Sequence, residues 1–144
     1  MVLADIMTRA VVTVHLDDTL SHIRSIFETS KFHHLLVTDN GELVGVISDR
    51  DLLKNVSPFI GNRLMERNQD VNTLSRRAHQ IMSRKPVTGT PETSVCGALQ
   101  IMLRDNVSCL PVVYENNHIA GIVSWKDILR ASNICDTLGA SEAA

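Results

Sequence analysis

Gly45-Val46-Ile47-Ser48-Asp49-Arg50-Asp51 and Gly121-Ile122-Val123-Ser124-Trp125-Lys126-Asp127 are one phrase written twice. Each runs glycine, two β-branched apolar residues, serine, two variable positions, aspartate. Working outward, Ile6-Met7-Thr8-Arg9 returns as Ile81-Met82-Ser83-Arg84 and Val12-Thr13 returns as Val87-Thr88, both at an offset of 75, while the closing phrase returns at 76. One residue is therefore inserted between these blocks. It falls in Asp39-Asn40-Gly41 against Glu115-Asn116-Asn117-His118, where a polar surface turn accepts an insertion at little cost. The chain is a duplication, and the fold must be read as a repeat.

The same elements can be read in each copy. Residues 10–14 and 86–88 are expected to form a short strand. Thr19 and Ser94 are suited to cap a helix whose apolar residues, Leu20, Ile23, Ile26 and Phe27 or Val95, Ala98, Leu99 and Met102, fall on one face. A strand follows at 35–38 or 110–114, and another at 43–48 or 119–124. Asn40-Gly41 is a two-residue hairpin signal that makes the first copy's pair antiparallel. A last helix is expected from 49 to 55, matched by 125 to 132. The predicted order is βαββα, twice, an α/β (α+β) fold with repeats at 1–57 and 76–133. The polar linker 58–75 contains Pro58 and Gly61, residues 74–82 read as a helix leading into the second copy, and 134–144 read as a frayed tail. One copy offers too little apolar surface to stand comfortably alone. Two copies packed sheet to sheet, with pseudo-two-fold symmetry, would remove the difficulty.

Composition narrows the function. Of 144 residues 44% are hydrophobic and 21% charged, which suits a packed interior. Trp125, Tyr114 and three Phe are the aromatic complement, so the core must be aliphatic. A net charge of −2 and a pI near 6.3 give no positive field to collect nucleic acid. Neither a membrane span nor a signal sequence is legible, and a cytoplasmic protein is expected. Cys96, Cys109 and Cys135 are odd in number and lack C-x-x-C spacing, favouring reduced thiols over disulfides or zinc. The sequons at Asn55 and Asn106 are then chance matches.

The ordered set, from the I-M-[TS]-R opening through His34-Leu35-Leu36-Val37 or Cys109-Leu110-Pro111-Val112 to the closing G-h-h-S-x-x-D, resembles a tandem pair of CBS domains, a Bateman module, over about residues 3 to 133. Leu36 departs from the proline usual in the family, which Pro111 keeps. The resemblance implies a regulatory module that binds AMP, ADP, ATP or S-adenosylmethionine between the repeats. It implies that Ser48 and Ser124 contact phosphate and that Asp51 and Asp127 hold ribose hydroxyls. It places Val14, His15, Gly89 and Thr90 after the first strand, and His33, His34, Ser108 and Cys109 at the start of the second, around adenine. It also implies a homodimer paired through its helices. Two alternatives stay open: a ligand-free interaction scaffold, and an accessory factor of a pathway such as acetoin utilisation.

The chemistry of the motif is consistent with that expectation. A serine at a strand-to-helix junction stands where unpaired amides face an anion. An aspartate in the first turn suits neutral hydroxyls better than phosphate. Arg50 and Lys126 adjoin these acids, and Arg9 and Arg84 are further cations that could meet phosphate. The same S-x-x-D pattern is also a capping box, needing no ligand. His33 and His34 are adjacent on a strand and point to opposite faces, so a metal site joined by His22 or His15 is not expected. Cys109 aligns with His34 and reads as a buried thiol. No nucleophile, base or phosphate-loop motif is present, and a non-catalytic role is expected.

Overall fold

The computed structural model describes residues 1–62, 64–133 and 136; Cys135 and nearly all of the expected tail, 134–144, lie outside the described residues. The chain forms two compact units, and their make-up does not follow chain order. One comprises residues 12–86, the other residues 1–11 together with those from Val87 on. The segment leading into each repeat is thus built into the unit that holds the other repeat's strands and helices.

In the unit of residues 12–86 the elements are β1 (Thr13–His15), α1 (Leu20–Thr29), β2 (His34–Asp39), β3 (Glu42–Ser48), α2 (Asp49–Asn55), α3 (Asn68–Asn72), α4 (Ala78–Ile81) and β4 (Ser83–Arg84). The sheet order is β1-β2-β3-β4, with β1 parallel to β2 and the other pairs antiparallel. Thr19 caps α1 by accepting from the His22 amide at 3.3 Å. Asn40 and Gly41 both take positive φ, 50° and 81°, as a tight hairpin turn demands. The core is Val14, Leu20, Ile23, Leu35, Val37, Ile47 and Leu52, closed by Ala78 from the lead-in of the second repeat.

The other unit contains α5 (Val95–Asp105), β5 (Cys109–Val113), β6 (Ile119–Ser124) and α6 (Trp125–Ser132). Ser94 caps α5 through the Gly97 amide at 2.9 Å, and Asn106 ends it at φ 53°. The core is Ala98, Met102, Leu110, Val112, Ala120, Val123 and Ile128, completed by Leu3 and Met7. Burying a side chain of that size contributes about 1.5–3 kcal/mol. Against a net stability of about 5–15 kcal/mol, the lead-in is a structural part of the unit rather than a tether.

Two expectations are corrected. Residues 86–88 form no strand; a single parallel bridge, Gly89 to Val112, remains. Pro111 has no N–H, and neither has Pro86, so the ladder cannot extend. Leu36, at the position of Pro111, stands in a ladder of three pairs. Residues 74–82 are likewise no continuous helix: a 3-10 turn ends at Ser75, Arg76 and Arg77 are extended, and α4 is four residues long. The extended pair bonds to the loop before α1, with Leu20 N–H on Arg76 O at 2.8 Å and Ala78 N–H on Asp18 O at 2.8 Å. The linker is also more ordered than its polarity suggests. Asp70 is buried, and its carboxylate accepts from Ser57 Oγ and from Arg67 N–H, each at 2.7 Å.

The repeated glycine marks where the exchanged segment crosses the sheet. A Cβ on Gly121 would stand 2.7 Å from Thr8 O, and one on Gly45 2.9 Å from Ser83 O and closer still to Met82. Replacing Gly121 by Ala should therefore cost about 1–3 kcal/mol of overpacking, read as a lower denaturant midpoint. An unchanged midpoint would show that the crossing is loose.

Candidate functional site

The S-x-x-D phrase places its serine at the last residue of β3 or β6 and its aspartate in the first turn of α2 or α6. In the first repeat the capping box is complete: Ser48 N–H donates to Asp51 Oδ2 at 2.9 Å and Asp51 N–H donates to Ser48 Oγ at 3.1 Å. Asp49 N–H donates to His33 O at 3.0 Å. Two first-turn amides, those of Asp49 and Asp51, are thus engaged within the chain, and the Arg50 amide between them has no acceptor among the described residues. Asp51 is half-buried, turned neither into the core nor out to bulk water.

The second repeat builds the same box. Ser124 N–H donates to Asp127 Oδ2 at 2.8 Å, Asp127 N–H donates to Ser124 Oγ at 3.3 Å, and Trp125 N–H donates to Ser108 O at 3.1 Å. Two contacts have no counterpart among the described residues of the first repeat. Ser124 Oγ–H also donates to Asp127 Oδ2 at 3.1 Å, and Arg130 holds Asp127 Oδ1 at 3.1 Å.

The expected site residues divide by the sheet register. His34 pairs with Ser48, and Cys109 with Ser124, so these two do flank the capping boxes. Cys109 is buried, and desolvation pushes its thiol up to about 12. His33 sits just ahead, with Nδ1 3.0 Å from Asp49 Oδ2; that bond chiefly holds the Asp49 carboxyl below its ordinary range. His15 is placed elsewhere. It pairs with Thr38, four strand residues or roughly 13 Å from the His34–Ser48 pair, and its ring faces Asp17 and Asp39. Because β1 runs parallel to β2, the part of β1 nearest Ser48 is its beginning, before Thr13. Val14 is 3% exposed and belongs to the core. Gly89 is buried against Leu3 and Leu110, and Thr90 is committed to Thr93 through an amide bond of 2.9 Å. Arg9 and Arg84 bond the carbonyls of Ala4 and His79. Arg50 is exposed, and Lys126 lies 6.0 Å from the centre of the Trp125 ring. A recess of about 300 Å³ in the linker, lined by residues from Phe59 to Asp70, includes none of these residues. Among the described residues no three His, Cys, Asp or Glu side chains converge as a metal site would require.

The sequence pattern that defines the CBS domain matches residues 3–58 and again 78–134. The chain belongs to the CBS domain family. A CBS domain-containing protein of Dictyostelium discoideum is 35% identical over 128 residues, 86% of each chain. YhcV of Bacillus subtilis, another CBS domain-containing protein, is 30% identical over 86% of this chain and 80% of its own. Other relatives are longer. This chain spans 43% of an uncharacterised Methanocaldococcus jannaschii protein and 22% of that organism's inosine-5'-monophosphate dehydrogenase. Among solved structures, a third M. jannaschii protein matches with a TM-score of 0.77 at 28% identity, covering 90% of this chain and 47% of that one. CBSX2 in complex with AMP matches at 0.76 and 24% identity, covering 94% and 98%. A CBS domain pair in complex with 5'-methylthioadenosine and S-adenosylmethionine matches at 0.74, also with 24% identity, covering 92% and 96%. At that identity the last two establish the fold alone.

In the CBS frame, the residues that reading the motif overlooked are partners rather than new groups: Asp49 for His33, and Arg130 for Asp127. The second was visible as an i, i+3 pair. His34 gives the first edge a titration. Burial lowers its pKa, opposed by Asp49, reinforced by His33 and opposed again by Asp51. The unfolded chain then takes up this proton at higher pH than the folded one. The contribution to stability is whole above pH 6.5 or so and shrinks as pH falls from there toward the depressed value. Denaturation midpoints from pH 7.5 to 5.5 should fall less steeply for His34→Gln than for the unaltered chain; equal slopes would remove His34 as the source.

Proposed function

We propose that this chain is a ligand-responsive regulatory module that takes an adenosyl ligand, AMP, ADP, ATP or S-adenosylmethionine, at its S-x-x-D edges and does no catalysis of its own. The observation that carries the reading is the half-buried aspartate, repeated at the first turn of α2 and α6, beside a serine hydroxyl and a basic neighbour. A carboxylate so placed accepts from vicinal ribose hydroxyls, and Arg50 or Lys126 complements a phosphate or carboxylate. CBS pairs crystallised with AMP, and with S-adenosylmethionine and 5'-methylthioadenosine, support the ligand class. Relatives in which such a pair is part of a larger enzyme, including a homoserine O-acetyltransferase, support a regulatory role. Ligand binding would favour one arrangement of the chain over another, and a partner protein would read the difference. We place the protein in the cytoplasm: the described cysteines Cys96 and Cys109 are free thiols, as a reducing compartment keeps them.

Calorimetry tests the reading with AMP, ATP and S-adenosylmethionine. The double variant Asp51→Asn/Asp127→Asn keeps an acceptor for each cap and should lose at least about tenfold in affinity, the worth of a hydrogen bond to a charged group. No heat from any of the three with the folded, unaltered chain would favour a scaffold that binds no nucleotide.

We further propose that the protein is a homodimer in which a second copy covers the outer face of α5 and α6, where Leu99, Leu103 and Leu129 are 39, 73 and 43% exposed. Sedimentation should give twice the 15.9 kDa chain mass, falling to the monomer in Leu103→Asp. A monomeric unaltered chain would refute the pairing.

A further inference from the structure

The two S-x-x-D edges share a backbone design and differ in which side-chain atoms remain uncommitted. Ser48 Oγ accepts from Asp51 N–H, and among the described residues its own proton goes to no acceptor; Ser124 gives its proton to Asp127. Asp51 uses one carboxylate oxygen for the cap, and among the described residues the other takes no hydrogen bond; both oxygens of Asp127 are engaged, Oδ2 by Ser124 and Oδ1 by Arg130. Arg50 has no carboxylate or ring partner among the described residues, whereas Lys126 lies over Trp125. The contrast at the acids has a one-residue origin. Lys54 occupies in α2 the place that Arg130 occupies in α6, three positions past the aspartate, and no Lys54–Asp51 ion pair exists among the described residues. The planar guanidinium carries several directed donors and reaches the carboxylate, where the ammonium stays in solvent.

Resting on the proposed adenosyl binding, we infer that the edges are unequal. The Asp51 edge, with a free hydroxyl, a free carboxylate oxygen and a free guanidinium, takes the vicinal diol and charged group of the ligand first. The Ser124–Asp127–Arg130 edge is closed upon itself, and Arg130 sets its weaker affinity by occupying the oxygen that the diol needs. The Arg130–Asp127 pair is exposed on the arginine side, 74% against 15% for the acid, so breaking it shifts affinity only a few-fold.

Exchanging the two basic residues tests this without touching either cap. In calorimetric titrations with AMP and with S-adenosylmethionine, the unaltered chain should bind one equivalent more tightly than a second. Arg130→Lys should tighten the weaker event roughly two- to fivefold, and Lys54→Arg should weaken the tighter one by a similar factor, both with unchanged thermal midpoints. Asp51→Asn should cost the tight event at least about tenfold more than Asp127→Asn does. Two equal events in the unaltered chain, or Asp127→Asn being the more damaging of the two, overturns the inequality and leaves the binding reading standing. Absence of binding in the unaltered chain and in Arg130→Lys overturns both.

Discussion

The close crossing of backbone over Gly45 and Gly121 is the constraint from which the rest of the structure follows. Each glycine lies mid-strand, where a side chain would strike the main chain of the other repeat's lead-in, Ser83 in one case and Thr8 in the other. The crossing strand supplies what a short βαββα unit lacks. In one unit it adds β4 at the sheet edge and Ala78 to the core; in the other it adds the Thr8–Ile122 bridge and buries Leu3 and Met7. The duplication is therefore an exchange as well as a doubling, and each repeat depends on its twin for a stretch of its own interior. It also fixes the S-x-x-D edge, because Ser48 and Ser124 lie three residues beyond the pinned glycines on the same strands.

From those serines onward the chemistry is that of a helix start that satisfies itself. The reciprocal Ser–Asp bonds and the carbonyl of the residue ahead of β2 or β5 engage the amides of Ser48, Asp49 and Asp51, and of Ser124, Trp125 and Asp127. A capping residue of this kind stabilises a helix by about 0.5–2 kcal/mol, and a ligand that displaced it would forfeit that contribution. A ligand that leaves the cap intact and uses the remaining valences, a second carboxylate oxygen and a hydroxyl proton, forfeits nothing. Under the proposed binding, the half-burial of Asp51 matters, because desolvation strengthens the hydrogen bonds its open oxygen can accept.

What could be read from the sequence was local. The caps at Thr19 and Ser94, the Asn40-Gly41 turn and both closing helices follow from residues within four positions of one another, and the structure has them where the pattern placed them. The all-aliphatic core followed from composition. Non-local matters were hidden. The strand expected at 86–88 fails because Pro111, over twenty residues away, cannot donate to it. The helix expected over 74–82 breaks because Arg76 and Arg77 pair with the loop before α1 instead. The resemblance puts His15 and Thr90 around adenine, and only the parallel register of β1 on β2 shows how far His15 lies from Ser48 along the sheet. The direction of a strand relative to its neighbour is set by topology, which no window of sequence contains.

The same reasoning bears on what a motif can mean in a duplicated chain. Because S-x-x-D closes a helix start, it stabilises the helix in each copy, whether or not that copy meets a ligand. Its recurrence is evidence for the fold before it is evidence for two sites. The positions free to differ are those the cap does not use: the residue after the serine, Asp49 against Trp125, and the base three past the acid, Lys54 against Arg130. Asp49 draws in His33 and Trp125 draws over Lys126, while arginine reaches the acid that lysine leaves open. Divergence at these neighbours changes which side-chain atoms are left unengaged while the reciprocal Ser–Asp cap is kept, and a shared backbone thereby carries two edges of different character.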